Sequence, residues 1–480
     1  MLQKLSFLFF LIIISLRLKS QEPDSLRKGI HQLEKEYYSK LLPEEKQSTE
    51  KVTAIPSNLI TTGTRTLTRK VLGWYPYWAP SSAYLSFDYS ALSHIAYFSY
   101  EVDTATGGYT TIHDWNTTPI VDFAHQRGTK VLLTVTNFGS SGNTEILSDS
   151  LKQKFMINTI ISLLKSRNGD GVNFDFESVS NTQRVNLVNF TKRAIRLIKT
   201  ELPASEISMA SPAVDWAGSW DLKTLSELCD YLIVMGYDYY WSGSSTAGPV
   251  APLEGENYNV SKTVYNYINS GVSPRKLLLG VPWYGYDWPV VNNSRKATAT
   301  GAAAARIYAA ANQLADSYGK IFDQTTKVQW VSYLNSSLWR QLWFDDTLSL
   351  SMKYNLVNAQ NLGGIAIWAL SYEGGYKDIW EKIISAFPAK DESVNKIINI
   401  YPNPVSGISR IDFFLINKEY VTLKVFDLLG KERMVLINGE LAAGFHSEEF
   451  SPDGYGTGIY FCVLTNENSK STWKIVVIKK

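Results

Sequence analysis

Residues 170 to 177, Asp170-Gly171-Val172-Asn173-Phe174-Asp175-Phe176-Glu177, have the alternating pattern of a short buried β-strand. Successive side chains of a strand point to opposite sides, so Asn173, Asp175 and Glu177 share one face. Burial raises the pKa of a carboxyl group, and two neighbouring acids can differ widely in pKa, so that one stays protonated. The polar face is therefore predicted to line a cavity. The alternative, an edge strand with a solvated acidic face, fits the strongly apolar flanking sequence less well.

Outward from this strand, apolar runs alternate with helical patterns from residue 70 to about residue 388. Eight apolar strands that alternate with helices predict a parallel sheet covered by helices on its outside. Eight such units in roughly three hundred residues suit a closed α/β structure, the (β/α)8 TIM barrel. An open doubly wound sheet is the alternative, but no Gly-x-Gly-x-x-Gly follows the first strand. The predicted strands are 70–76, 92–99, 130–137, 171–177, 206–211, 231–237, 276–282 and 363–368, and the clearest helices are 150–167, one opening at Ser180, 261–268, 348–359 and 376–387.

The connection between the seventh and eighth strands is too long for a simple loop. Residues from about 289 to 345 contain a predicted helix, 302–318, and a predicted strand, 328–333, so we expect a small α+β insertion beside the barrel mouth. The barrel is expected to close near Pro388 and to be followed by a polar linker, 389–396. Residues 397–480 show short alternating runs between Gly and Pro turns, which predict a C-terminal all-β sandwich domain.

The N-terminus has the features of a signal peptide, residues 1–20. Lys4 precedes an apolar run, 5–16, that is too short for a comfortable membrane span, and cleavage is expected near Ser20. An uncleaved anchor is the disfavoured alternative, and no other stretch predicts a stable membrane span. Residues 21–69 are polar and are expected to hold one amphipathic helix followed by a linker. The helix is predicted from the spacing of Leu26, Ile30, Leu33, Tyr37 and Leu41, and is ended by Pro43.

Composition excludes several classes of partner. The chain has 47 basic and 45 acidic residues, and this nearly balanced charge does not favour binding to nucleic acid or to an anionic membrane surface. The 14 Trp and 28 Tyr residues include enough candidates near strand ends to suit stacking on sugar rings. Cys229 and Cys462 fall in different predicted domains, so no structural disulfide is expected. The five histidines show no metal-ligand spacing, and we predict neither a metal site nor a cofactor.

In a TIM barrel the chemistry lies at the C-terminal ends of the strands. Besides the acids at 173–177, this edge is expected to carry Met235, Tyr237 and Asp238 from the sixth strand and Trp368 from the eighth. Trp74 on the first strand is a weaker candidate for the same wall. Each has a structural alternative: Tyr237 in a barrel layer, Asp238 as a helix cap, and the two tryptophans in the core. Their coincidence at several strand ends favours a site.

Residues 70 to about 388 resemble glycoside hydrolase family 18, the chitinase-like enzymes. The resemblance rests first on 170–177, which matches the family's Asp-Gly-x-(Asp/Asn)-x-Asp-x-Glu signature in order and spacing. Met235-Gly236-Tyr237-Asp238 is similar to the family's sixth-strand motif, and Trp368 to its eighth-strand tryptophan. Trp343-Phe344-Asp345-Asp346, followed by a helix and Gly363-Gly364, is similar to the family's closing segment.

This resemblance implies retaining hydrolysis assisted by the substrate, without an enzyme nucleophile. By analogy Glu177 is the general acid, Asp175 orients the substrate's acetamido group, and Tyr237 donates a hydrogen bond to its carbonyl. Trp368 forms the floor under the sugar, and Asp238 binds substrate, as Asn173, Met235 and Trp74 are also expected to do. Asp170 and Gly171 are expected to be structural. Asn173 departs from the many members that carry Asp there, which bears on the pH profile.

Residues from about 397 resemble the type A sorting domain of the type IX secretion system. The matching segments are Ile400-Tyr401-Pro402-Asn403-Pro404, Val425-Phe426-Asp427-Leu428-Leu429-Gly430-Lys431, Gly458-Ile459-Tyr460 and the closing Lys474-Ile475-Val476-Val477-Ile478-Lys479. The resemblance implies export across an outer membrane by that machinery, to the medium or the cell surface. A carbohydrate-binding sandwich is the alternative, disfavoured because the tail has few exposed aromatics.

The sequence thus predicts a secreted enzyme that cleaves β-1,4 bonds at N-acetylglucosamine in a polysaccharide or glycan. Chitin or chitooligosaccharides are the leading substrates. An endo-β-N-acetylglucosaminidase acting on peptidoglycan or N-glycans is the alternative. A non-catalytic chitin-binding lectin on the same barrel is disfavoured, because relatives of that kind typically lose the catalytic Glu and Glu177 is intact.

Overall fold

The computed structural model describes residues 28–41, 67–388, 396–467 and 469–479. The predicted signal peptide 1–20, most of the segment that precedes the barrel, and all but the last residue of the predicted linker 389–396 lie outside these residues.

Residues 70–368 form the predicted barrel. Its eight parallel strands follow one another around the wall in the order β1, β2, β4, β5, β6, β7, β8 and β14, and β14 pairs with β1 to close it. The strands up to β14 are β1 (Lys70–Pro76), β2 (His94–Val102), β3 (Tyr109–Thr111), β4 (Lys130–Phe138), β5 (Gly171–Glu177), β6 (Glu206–Pro212), β7 (Tyr231–Met235), β8 (Leu277–Pro282), β9 (Tyr284–Pro289), β10 (Ala304–Ile307), β11 (Ile321–Asp323), β12 (Val328–Asn335), β13 (Leu338–Phe344) and β14 (Gly364–Trp368). The (β/α)8 prediction is confirmed.

The helices of the described residues are α1 (Ile30–Tyr38), α2 (Ile120–His125), α3 (Ser140–Ser148), α4 (Ser150–Arg167), α5 (Arg184–Glu201), α6 (Leu222–Leu228), α7 (Val260–Asn269), α8 (Tyr308–Tyr318), α9 (Thr347–Ala359) and α10 (Asp378–Ala386). They include each predicted helix, with shifted ends, and three short ones that the pattern did not predict, α2, α3 and α6. α4 illustrates the local causes. The Asp149 carboxylate accepts from the backbone N–H groups of Leu151 and Lys152 at its start, and Asn168 ends it in the left-handed conformation.

The strand that carries the acids depends on Gly171. A Cβ atom at this position would lie 1.9 Å from the backbone oxygen of Glu206 on β6, so no other residue fits the close approach of the two strands. The following residues of β5 pair in register with β6, and Asn173 lies opposite Ser208. This pairing fixes which side chains of β5 point into the barrel.

The insertion after β8 is larger than predicted. It begins at Tyr284 rather than near residue 289, and forms a five-stranded antiparallel sheet, β10-β9-β13-β12-β11, with α8. The predicted helix 302–318 is wrong over its first turn, because Ala304–Ile307 pairs with β9 and the helix begins at Tyr308. Alanine favours a helix, but the hydrogen bonds to β9 outweigh that weak preference.

α1 confirms the amphipathic helix before the barrel but not its buried face. Ile30, His31 and Glu34 are its buried residues, whereas Tyr37, which the spacing placed on the apolar stripe, is 53% exposed. The helix lies at the mouth of the barrel. Its buried face is polar because His31 and Glu34 form hydrogen bonds with residues there.

The tail forms two packed antiparallel sheets, β15-β16-β19 and β18-β17-β20-β21, around its own apolar core. The predicted all-β domain is confirmed. Its strands are β15 (Lys396–Tyr401), β16 (Ser409–Leu415), β17 (Glu419–Asp427), β18 (Glu432–Leu441), β19 (Gly444–Phe450), β20 (Gly458–Thr465) and β21 (Lys470–Val477). Arg275 of the barrel forms an ion pair with Asp412, and the Tyr401 hydroxyl donates to Gln360 at 2.6 Å. Cys229 and Cys462 are both buried and free. Among the described residues, none of the helices has the length and apolar character needed to cross a bilayer.

Candidate active site

The C-terminal ends of the barrel strands bring the predicted acids and aromatics to one pocket. Asp175 and Glu177 lie at the end of β5, Trp368 ends β14, and Tyr237 follows β7 by two residues. Asp175 and Trp368 are fully buried, and Tyr237 is nearly so. The end of β5 is held by α3, since the Asn143 side-chain amide donates to the backbone oxygen of Glu177 at 2.5 Å.

The imidazole of His31, from α1, fills the centre of this pocket. Its Nδ1 lies 2.8 Å from Asp175 Oδ2 and 3.4 Å from Glu177 Oε1, and its Nε2 lies 2.8 Å from the Tyr237 hydroxyl. The ring stacks on Trp368 with centroids 3.7 Å apart and planes 26° from parallel. The pocket therefore accepts a flat polar ring with an aromatic floor and hydrogen-bonding groups at its edge.

Burial and the neighbouring charges shift the pKa values of Glu177 and of the His31 imidazole. Burial, and then the negative charge of Asp175, raise the pKa of Glu177 to about 8, against the lowering effect of His31. Burial opposes the charged form of His31, but Asp175, Glu177 and Asp238 outweigh it and raise the pKa of the imidazole above its usual value of 6.5. Asp175 Oδ1 and Glu177 Oε1 are buried without a hydrogen-bond partner among the described residues. Glu177 thus has the electrostatics of a carboxyl group that keeps its proton near neutral pH.

Asp238 lies at the edge of the same pocket, in the left-handed backbone conformation with φ of 57°. Its Oδ1 accepts a hydrogen bond from the Tyr284 hydroxyl of the insertion, and its Oδ2 accepts the backbone N–H of Ile30 at 2.7 Å. The insertion therefore helps to hold this carboxylate, which the sequence alone did not indicate. Met235 lines the adjoining cavity.

Asn173 lies one layer below the acids and has no exposed surface. Its Oδ1 accepts from the Trp74 indole N–H at 2.9 Å, and its Nδ2 donates to Ser208 at 2.9 Å. The Trp74 ring meets His31 edge-on, with centroids 5.2 Å apart. Asn173 therefore acts on the pocket indirectly, through its hydrogen bond to the Trp74 ring that contacts His31. A neutral amide suits this place because it can accept from one partner and donate to the other.

Asp170, the first residue of the motif, lies at the opposite end of β5. Its Oδ2 lies 2.7 Å from His125 Nε2 and accepts the backbone N–H of Val131 at 2.7 Å. These bonds join β5 to β4 and α2, away from the pocket.

Glu34 and Lys35 of α1 also contact residues at the barrel mouth. The sequence analysis did not predict a role in the site for either of them or for His31. Glu34 Oε2 accepts from the Trp368 indole N–H at 2.9 Å and from the Tyr372 hydroxyl at 2.7 Å. Lys35 forms an ion pair of 2.9 Å with Glu101 of β2. The only signal in the sequence was the i, i+3 spacing of His31 and Glu34, which places two polar groups on one face of a helix.

A cavity of about 140 Å³ continues from the pocket beside α1. Aromatic side chains line it, notably Trp216, Trp220 and Tyr258, together with Glu177 and Asp238. Trp216 and Tyr258 meet edge to face with centroids 4.5 Å apart, and they are 37% and 43% exposed. Aromatic faces at a cleft of this kind suit stacking on further rings of a ligand.

His31, Asp175 and Glu177 are also the one group of potential metal ligands found among the described residues, with ligand atoms within 4.8 Å of one another. His31 Nδ1 is already at direct hydrogen-bond distance from Asp175, and this bond accounts for their approach. The spacing of the histidines in the sequence does not indicate that His31 reaches the acids.

A (β/α)8 barrel with this row of acids at the end of its fourth strand is a glycoside hydrolase. The chain belongs to the glycosyl hydrolases family 18, whose family model matches residues 70–373. A second family model, the secretion system C-terminal sorting domain, matches residues 399–479. The tail is a type IX sorting domain, which indicates export to the cell surface or the medium.

Curated relatives are similar over the barrel. The "Cortical fragment-lytic enzyme" of Bacillus anthracis is 26% identical over 314 residues, covering 62% of this chain and 68% of that protein. The "Di-N-acetylchitobiase" of Homo sapiens is 27% identical over 286 residues, covering 52% of this chain and 70% of that protein.

Solved structures share the fold. A family 18 chitinase from Cycas revoluta in complex with (GlcNAc)3 superposes with a TM-score of 0.59 at 19% identity, covering 66% of this chain and 99% of that one. The spore cortex-lytic enzyme of Bacillus cereus superposes with a TM-score of 0.57 at 22% identity, covering 68% and 76%.

Proposed function

We propose that this chain cleaves β-1,4 bonds at N-acetylglucosamine, in chitin or chitooligosaccharides, by substrate-assisted retaining hydrolysis. Glu177 gives its proton to the glycosidic oxygen as the bond from that oxygen to the anomeric carbon breaks. The acetamido oxygen of the same sugar forms the new bond to the anomeric carbon, which leaves a cationic oxazolinium ring. Water then opens this ring, and Glu177 takes back a proton.

The pocket chemistry supports a role for each neighbour. Asp175 orients the acetamido group and stabilises the positive ring, and Tyr237 donates a hydrogen bond to the acetamido carbonyl. Trp368 is the floor under the sugar. Asp238 and Met235 contact the substrate at the edge, and Asn173 and Trp74 hold the wall beneath it. Fixed charges and dipoles aimed at a developing charge are a strong source of rate enhancement in a buried site.

One observation carries this proposal: the pocket already holds a flat five-membered ring. The His31 imidazole has hydrogen-bond partners 2.8 Å from each nitrogen and an aromatic floor 3.7 Å away. An oxazolinium ion is likewise a flat five-membered ring with a delocalised positive charge. A pocket that favours the charged imidazole, as the raised pKa of His31 indicates, also has the shape and sign of charge to favour that intermediate.

The names of the relatives favour a second substrate class. Cortical fragment-lytic enzymes match 62% of the chain at 26% identity, which is comparable to the match of the chitobiases. Peptidoglycan therefore stands beside chitin, and N-glycan cores come next. The exposed aromatic pair Trp216 and Tyr258 suits an extended glycan of any of these kinds.

The test is a reducing-end assay of the full chain on chitooligosaccharides, peptidoglycan and a glycoprotein in parallel. Because α1 fills the pocket, the assay is run on the His31→Ala variant as well. We expect release from one substrate class, and loss of release in His31→Ala combined with Glu177→Gln. Binding of a glycan without release by either protein would identify a lectin and overturn the proposal.

A further inference from the structure

α1 lies across the mouth of the barrel and contacts most of the groups to which we assign the reaction. His31 and Asp175 are 144 residues apart in the chain, and Glu34 and Tyr372 are 338 apart. We propose that residues 28–41 are an intramolecular inhibitor that occupies the sugar-binding pocket and must leave before a glycan can enter. This inference rests on the proposed function, since it assumes that the pocket is where the substrate binds.

His31 takes the place of the reacting sugar. Its ring lies on Trp368, and its nitrogens bind Asp175 and Tyr237, the two residues assigned to the acetamido group of the sugar. The backbone before it lies against the general acid, because a Cβ atom on Gly29 would be 2.6 Å from Glu177 Oε2. A sugar at this position would overlap both the imidazole and Gly29. Substrate and α1 therefore exclude each other.

The remaining contacts extend this complementarity along the groove. Glu34 binds the edge of Trp368 and the Tyr372 hydroxyl, Lys35 pairs with Glu101, and Tyr38 stacks on Trp78 with planes 10° from parallel. A helix that served only to cover an apolar surface would bury an apolar stripe. α1 instead buries His31 and Glu34 and leaves Tyr37 53% exposed. Its buried face matches a polar ligand site.

α1 has little stability of its own. It has nine residues, and its N-cap residue, Gly29, provides no side-chain cap. Isolated helices of this length are marginal in water, so the docked helix depends on its contacts with the mouth. Because it belongs to the same chain as the site, it competes with substrate at a constant local concentration. Cutting the chain after this segment, or an extended glycan that binds strongly along the aromatic cavity, would favour its release.

Protonation links this inhibition to pH. His31 faces Asp175, Glu177, Asp238 and Tyr237, and Glu34 lies beside Tyr237. The docked pKa of His31 is raised above 6.5, so its contribution to docking is complete below pH 6.5 and is lost as pH rises through the docked value. Inhibition is therefore strongest in acid and weakens towards alkaline pH.

The test compares full-length variants that differ only on α1. His31→Ala combined with Glu34→Ala removes the groups that bind the pocket, whereas Gln32→Ala removes a side chain whose hydrogen bond, to Glu36, stays within the helix. Loss of buried bonds to charged groups is expected to raise kcat/KM of the double variant by about ten- to a hundredfold. Gln32→Ala is expected to match wild type. The ratio of double-variant to wild-type activity is expected to fall as the pH is raised from 6 to 9.

A synthetic peptide of residues 28–41 supplies a readout that does not need hydrolysis. It is expected to bind the double variant, measured by calorimetry and by quenching of tryptophan fluorescence, and to compete with chitooligosaccharides. The same peptide with His31→Ala is the control and is expected not to bind.

The outcomes separate this inference from the proposed function. A double variant no more active than wild type, together with a peptide that does not bind it, would overturn the inhibitor and leave the hydrolase intact. A peptide that binds while no variant hydrolyses any of the three glycans would overturn the proposed function and retain α1 as a ligand of the pocket.

Discussion

Replacing Glu177 with Gln keeps the size of the side chain and removes its ability to give up a proton. General acid catalysis contributes about 10²- to 10⁴-fold to a reaction of this kind, so turnover is expected to fall by at least two orders of magnitude. Stability is expected to move the other way. The structure raises the pKa of Glu177 from 4.5 to about 8, and a buried carboxyl group of this kind costs folding energy wherever the unfolded chain would ionise it.

The size of the stability effect follows from that shift. Between pH 4.5 and pH 8 the native chain holds a proton on Glu177 that the unfolded chain releases, so stability falls as pH rises through this window. Each pH unit is worth about 1.4 kcal/mol, which gives a cost of up to about 3 kcal/mol at pH 7 and less than about 1 kcal/mol at pH 5. The Gln variant has no such proton. It is expected to be more stable than wild type at pH 7 by up to that amount, and to show little difference at pH 5.

Urea unfolding followed by tryptophan fluorescence measures this difference. All the tryptophans except Trp473 precede the tail, so the signal reports the barrel. Wild type and Glu177→Gln are compared at pH 5 and pH 7. Turnover is compared in the His31→Ala background, which lacks the imidazole that fills the pocket. Parallel stability curves across this range would refute the raised pKa, and a variant that kept more than about a tenth of the activity would refute the role of Glu177 as the acid.

Three further changes test other parts of the structure. Tyr237→Phe in the His31→Ala background is expected to lower kcat by about ten- to a hundredfold with a smaller change in KM, measured on chitooligosaccharides, because it removes one hydrogen bond to the reacting group. Lys353→Met leaves the fully buried Asp345 without its ion pair and is expected to cost about 3–5 kcal/mol in urea unfolding, whereas Lys320→Ala, which breaks a half-exposed pair, is expected to cost less than about 1 kcal/mol. Deleting residues 397–480 is expected to retain the enzyme inside the cell envelope, measured by fractionation and immunoblotting, and unimpaired export would contradict the assigned role of the tail.

The alternation of strands and helices, the row of acids at 173–177 and the turn-rich tail were all readable from the sequence. Each is a local pattern in which the spacing of side chains follows the geometry of a single element. The same reasoning placed Tyr237 and Trp368 at the ends of strands. Because the C-terminal ends of all the strands of a closed barrel lie on one face, these side chains were expected to meet. At Ala304–Ile307 the local preference predicted a helix, but long-range pairing with β9 makes this segment a strand.

What the sequence determined by itself is the barrel, its family and the acids at the end of β5. Only the tertiary structure decided that α1 fills the pocket. The spacing of Ile30 and Tyr37 indicated a helix but pointed to its apolar side, while the docking depends on His31 and Glu34 meeting Asp175, Trp368 and Tyr372. Those partners come from β5, β14 and the segment after it, and no local periodicity encodes a contact between groups that are brought together only when the barrel closes.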